Sequence, residues 1–269
     1  YTEIITIPQG NNITIDLSGH TLNGQLIVRG NATIKNGTVK AADNAVGIYA
    51  YGNLLLNGVT LTGAAKSENL LCVYAGSNVT IDKNSTVSAT DTTENHPTPA
   101  IFIGKQNGNA NDSQTLNIYG TVTAAKAPSI QGNGTDRSVS YINIYDGAKI
   151  KSSKLAVYLP QPCEVNMTGG TVEGYCGIGI KSGTLNLSGG TVNGITNDTV
   201  IGDQHSSTDG ISYDGSAILI DSYIGYAGQV KINISGDATV KSNYSTAIRE
   251  IGNNASQTNV VAVTVTGGK

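Results

Sequence analysis

The feature that most constrains this chain is a phrase that recurs along its whole length: an alternating strand, a Gly or Asn turn, then Thr and an aliphatic residue. It reads IDLSGHTL at 15–22, IKNGTV at 34–39, LLNGVTL at 55–61, IDKNSTV at 81–87, NIYGTV at 117–122 and NIYDGAKI at 143–150. It continues as NMTGGTV at 166–172, NLSGGTV at 186–192, NISGDATV at 233–240 and VTVTGG at 263–268. The closing aliphatics are Leu22, Val39, Leu61, Val87, Val122, Ile150, Val172, Val192 and Val240. Their uneven steps suit solenoid turns that carry insertions of different length. A second phrase lies between the copies: VGIYA (46–50), LCVYA (71–75), AIFIG (100–104), PSIQG (128–132), AVYLP (156–160), GIGIK (177–181), AILID (217–221) and AIREI (247–251).

Each repeat therefore holds at least two short strands and is too small to bury its apolar side alone. Neighbours must stack, with equivalent strands about 4.8 Å apart, and ten of them make a rod roughly 50 Å long. The expected architecture is all-β: a right-handed parallel β-helix of about ten coils, one domain over 1–269, with an irregular insertion at 195–216. Alternate residues such as Leu185, Leu187 and Val192 form its aliphatic interior, and no stretch shows helical periodicity.

Composition agrees and excludes several functions. With 34 Gly, no Trp and a single Phe, the chain cannot build an aromatic-rich globular core. β-Branched residues between Gly and Asn turns suit many short strands instead. A net charge of −3 and only three Arg (Arg29, Arg137 and Arg249) leave no basic surface for nucleic acid. No run approaches the roughly 20 apolar residues of a membrane helix, so membrane insertion is not expected. Cys72, Cys163 and Cys176 lie in apolar runs, where a thiol acts as a small buried hydrophobe; a Cys163–Cys176 disulfide is an open alternative. Of thirteen N-x-S/T sites, several fall in expected strands (Asn78, Asn166, Asn186 and Asn233 among them), where a glycan would obstruct pairing. A bacterial source accounts for them most simply.

The opening ITIPQGNNITIDLSGHTLNG (5–24) and repeats such as LNLSGGTVNG (185–194) resemble pectin-lyase-like β-helix domains, especially those of adhesin-type cell-surface proteins from anaerobic Gram-positive bacteria. The resemblance covers nearly the whole chain. It implies an extracellular location, at the bacterial cell surface or secreted, and a segment of a longer surface protein. That fold carries lyases, hydrolases, tailspikes and non-catalytic adhesins, so activity has to be argued from a site.

Two columns are expected on the outer faces. Aligning the second phrase places Ile48, Val73, Ile101, Val157, Ile178, Ile218 and Ile248 inside. Tyr49, Tyr74, Phe102, Tyr158, Gly179, Leu219 and Arg249 then point outward, with Tyr51 beside Tyr49. Exposed, this aromatic column would bind a glycan or a host surface protein by stacking; covered, it would stabilise the solenoid beneath the loops at 89–99 and 105–114. In the first phrase Asn117, Asn143, Asn166, Asn186 and Asn233 face out near Tyr119 and Tyr145, and such amides can satisfy one another up a stack.

The insertion concentrates Asp198, Asp203, His205, Asp209, Tyr213 and Asp214, with Asp221 just beyond. No cofactor is called for. Ca²⁺ is the cation that Asp198, Asp203, Asp209 and Asp214 would take, although calcium-loop spacing is lacking. An enzymatic alternative would assemble Asp203, His205, Asp214, Asp221 and Glu250 into a polysaccharide-degrading lyase or glycosidase site. The arginine-bearing and Trp-containing signatures of the family's lyases, and the paired-Asp strings of its hydrolases, have no counterpart in this chain. His20 and His96 stand alone and read as turn residues. The expected function is therefore a non-catalytic extracellular module that binds glycan or a host protein through its outer faces.

Overall fold

The computed structural model describes residues 3–65, 68–93, 97–105, 112–134, 136, 138–201, 211–221, 229–251 and 261–269. Among these residues there are twenty-four strands and no helix, and every pairing between named strands is parallel. The pairings form three ladders, because each repeat supplies one strand to each.

The first ladder runs through Glu3–Ile7, Thr21–Val28, Ile48–Ala50, Leu71–Val73 and Ile101–Ile103. It continues through Ile130–Gln131, Val157–Leu159, Ile178–Ile180, Ile218–Ile220 and Ile248–Glu250. The second begins with Asn12–Asp16, Asn31–Lys40, Asn53–Gly63, Asn78–Ile81 and Gln114–Ile118. Its later members are Ser140–Ile144, Cys163–Gly174, Gly183–Gly194, Val230–Ile234 and Val261–Val265.

The third ladder holds the Thr-aliphatic ends of the repeats, and four of its strands continue directly from the second around a corner. One left-handed residue makes such a corner. At 31–40 it is Asn36 (φ 57°). At 183–194 it is Gly190 (φ 80°), where an added Cβ would lie 2.6 Å from the Gly169 carbonyl carbon and its oxygen, so a side chain is excluded twice over.

The closing aliphatics occupy a single column of this third ladder, in register from Leu22 to Val240. All but Leu22 are buried. Each such side chain gains about 1.5–3 kcal/mol by leaving water. That gain requires a neighbour on both sides: Ile142 in mid-stack is fully buried, whereas Ile13 and Val263, at the two ends of the same column, are 42% and 46% exposed. The interior is not wholly aliphatic. Gln114 and Ser140 begin successive strands facing inward, and Gln161 Nε2 reaches Ser140 Oγ at 3.1 Å.

The register corrects one alignment. Ile48 pairs with Leu71, not Val73, and Val73 pairs with Ala50. A shift of two residues preserves the in–out parity of the pleat, so Val73 still faces inward. Tyr74, however, follows Val73 beside Tyr51, and Cys72 takes the place next to Tyr49. The three cysteines are free and buried, so the Cys163–Cys176 disulfide is absent.

Candidate functional site

The outward column of the first ladder runs Tyr49, Cys72, Phe102, Gln131, Tyr158, Gly179, Leu219, Arg249. Of the two readings the sequence left open, exposed or covered, the second applies to most of this stripe. Tyr74 is 6% and Tyr158 2% exposed, while Tyr49, Tyr51 and Phe102 are half-buried. The cause is visible in two apolar clusters laid on the face. Val46, Cys72 and Tyr74 pack with Tyr49, Tyr51 and Phe102. Leu155, Tyr158, Cys176 and Leu219 pack under Ile211, Tyr213 and Ile251. The insertion thus contributes Ile211 and Tyr213 as a lid over the second cluster, held by one antiparallel bridge between Val200 and Tyr213.

In the first cluster the Tyr49 and Tyr74 rings stack at 6.0 Å, Tyr74 meets Phe102 edge-on at 5.9 Å, and the Arg29 guanidinium sits 4.9 Å above Tyr51. Burial raises the phenols of Tyr49, Tyr51 and Tyr74 and pushes the Cys72 thiol up to about 12, so none of these groups ionises near neutrality. Burial likewise pushes Cys163 and Cys176 to about 12, which makes them inert as nucleophiles.

Where the two clusters part, the face opens into a cleft of about 470 Å³. Phe102 and Gln131, neighbours in the column, line it, with Pro97, Pro99, Glu68 and Asn69 around them. Gln131, Glu68 and Asn69 are not among the site residues expected from the sequence. The proline-rich strings HPTPA and APSI, either side of an outward Phe and an outward Gln, were the available signal.

The acidic residues go elsewhere. Asp214 has a fully buried side chain bound by Arg249 at 2.7 Å and by the Ser216 amide at 3.0 Å, and Cys176 Sγ lies 3.5 Å from it. Burial alone would raise its carboxyl, but the Ser216 donors and the guanidinium outweigh burial and hold it below the usual carboxylate range. Asp221 pairs with Lys181 at 3.0 Å, and there burial wins and the carboxyl is raised. Asp198 and Glu250 are exposed. Asp203, His205 and Asp209 lie outside the described residues. Among the described members of the acidic set, Asp214 and Asp221 are engaged by separate cations. No group of three or more metal-ligating side chains occurs among the described residues.

The second ladder presents a different outer surface. Asn117, Asn143, Asn166, Asn186 and Asn233 stand in register, and from Asn143 onward each Nδ2 donates to the Oδ1 of the asparagine before it in the column, at 2.9, 3.2, 2.9 and 2.8 Å. A second amide column, two residues earlier along the strands, links Asn31 to Asn12 and Asn53 to Asn31, and Asn117 joins it by donating to Asn78 at 2.8 Å. Tyr119 and Tyr145 stack face to face at 4.2 Å near the corner of this ladder. A shallow groove of about 410 Å³ follows the earlier amide column.

Compared with protein-family models, with curated proteins and with solved structures, the chain matches none.

Proposed function

We propose that this chain is a right-handed parallel β-helix of the pectin-lyase-like kind, an adhesin-like module outside a bacterial cell, and that it holds polysaccharide in the Phe102 cleft without cutting it. Three parallel ladders fed in turn by each repeat support the coil reading, and parallel strand–connection–strand units are almost always right-handed. The observation that carries the binding reading is the content of the cleft. A half-buried aromatic ring and prolines offer an apolar floor for the C–H face of a sugar, while Gln131, Asn69 and Glu68 offer amide and carboxylate partners for its hydroxyls. Its volume falls within the usual range of small-ligand sites.

Glycoside cleavage requires two carboxyl groups across the scissile bond. Among the described residues the cleft has one, Glu68, while Asp214 and Asp221 are buried against Arg249 and Lys181. This favours a binder over an enzyme.

The test is sedimentation of the protein with insoluble polysaccharides and titration with soluble ones. Phe102→Ala and Gln131→Ala are each expected to weaken binding at least about tenfold, the loss of one stacking or hydrogen-bonding anchor. Equal binding by Phe102→Ala and parent would sink the cleft as the site. Release of unsaturated or reducing sugars, abolished in Asp214→Asn or Asp221→Asn, would establish the enzymatic alternative. Capture of a host surface protein with no polysaccharide binding would redirect the partner.

A further inference from the structure

The strands Ile178–Ile180 and Ile218–Ile220 pair in register, so the residues that follow them, Lys181 and Asp221, leave adjacent rungs side by side. Lys181 Nζ lies 3.0 Å from Asp221 Oδ2, and the two side chains are only 3% and 7% exposed. The Tyr158 ring, itself buried, lies with its centroid 5.8 Å from the ammonium, and the Ser212 hydroxyl hydrogen-bonds the Asp221 carboxyl.

The other described ion pairs differ in ways that matter. Lys35–Asp16 and Lys151–Glu173 are partly solvated, with lysine side chains 36% and 64% exposed. Arg249–Asp214 has a buried carboxylate, but its cation is a guanidinium, which is not a nucleophile at neutral pH, and is 45% exposed. Among the described pairs, only Lys181–Asp221 places a primary amine and a carboxyl in contact and both out of water.

We propose that Lys181 and Asp221 are joined by an intramolecular isopeptide bond that forms once the chain has folded. Two buried opposite charges lose hydration that their attraction only partly restores, so a reaction that removes both charges is favoured there; its first step passes one proton from the ammonium to the carboxyl across the 3.0 Å contact. The upward shift of the Asp221 carboxyl by burial agrees with this direction. The Nζ lone pair then attacks Cγ, Ser212 stabilises the carbonyl oxygen through its hydrogen bond, and the C–O bond to the second oxygen breaks. That oxygen leaves as water with protons taken from the amine. Ammonium plus carboxylate thus become one amide and one water; no oxidant, metal or activated co-reactant is consumed. Ordinary amide condensation is unfavourable in water, but here the amine and the carboxyl are held in contact within one folded chain, and the product removes two buried charges. The bond would tie two rungs together across the whole insertion.

The experiment is the intact mass of the purified, denatured protein followed by a tryptic map. The expected mass is one water below that of the sequence. Because trypsin does not cut at an acylated lysine, residues 155–231 should appear as a single peptide that is one water light. Lys181→Arg, which keeps the charge and the ion pair, should show its full sequence mass. Asp221→Asn should close with loss of one ammonia in place of water. A parent protein at full mass overturns the proposal. So does a deficit that persists in Lys181→Arg, or one that maps to a succinimide at Asp146–Gly147 or Asp214–Gly215. These readouts are independent of polysaccharide binding.

Discussion

The outer faces of the first and second ladders follow the same pleat and differ in what covers them. Along the second ladder the outward residues are asparagines whose amides bond from rung to rung, so their polar groups are largely satisfied within the face, which stays open to solvent. Along the first, the outward positions carry Tyr, Cys, Phe and Leu, and two apolar clusters with loop residues close over them. A rigid stack therefore presents one face that is complete by itself and one that must be completed by its insertions. The second kind is where clefts and buried charges arise, because a loop laid on a column cannot match it everywhere. The Phe102 cleft marks such a mismatch. The Lys181–Asp221 and Arg249–Asp214 pairs are polar groups trapped where the match is close.

The comparison breaks most sharply if the covered face proves dispensable. Tyr158→Ala removes the largest buried side chain of the second cluster and should cost about 4 kcal/mol in urea unfolding; a loss below about 1 kcal/mol would mean that the lid is not packed on it. Arg249→Ala comes next, at about 3 kcal/mol, since it strands the buried Asp214 carboxylate. Its pH dependence has a definite sign. The Asp214 carboxyl is held below its ordinary value in the folded chain, so its contribution is present above the unfolded value and is lost as pH falls through the folded one. The stability gap between Arg249→Ala and the parent should therefore be widest near neutrality and narrow below about pH 4, once a protonated Asp214 no longer needs the guanidinium. A gap independent of pH would show that Arg249 acts through packing alone.

Much of this was legible in the repeat. The nine closing aliphatics form one column because strand parity and stacking leave them no alternative, and the asparagine column follows from the same parity. Coverage was not legible. The pleat dictates that Tyr74, Tyr158 and Leu219 point outward from the ladder, but whether they meet water depends on where Ile211, Tyr213 and Ile251 settle, and those residues lie at or beyond irregular segments with no period to read. Lys181 and Asp221 show how a signal can be present and unused. GIGIK and AILID align position for position, so the lysine and the aspartate fall one rung apart, one inward residue beyond the outward positions of the column.

The smallest expected effect concerns the open face. Asn143 both donates to Asn117 and accepts from Asn166, whereas Asn233 donates to Asn186 and has Thr264 as its partner in the next rung. Each neutral hydrogen bond contributes about 1 kcal/mol, less where water can replace it. Asn143→Ala should therefore cost about 1.5 kcal/mol, and Asn233→Ala, with one amide link at a more exposed rung, about half of that. If the amides polarise one another along the chain, the mid-ladder loss will exceed the sum of two isolated bonds, and the double variant Asn143→Ala/Asn166→Ala will fall short of the two single losses added by more than the one bond they share. Equal, negligible losses at both positions would mean that solvent satisfies these amides as well as their neighbours do. The open face would then owe its stability to the inward aliphatic columns alone, and the contrast with the covered face would reduce to what each buries.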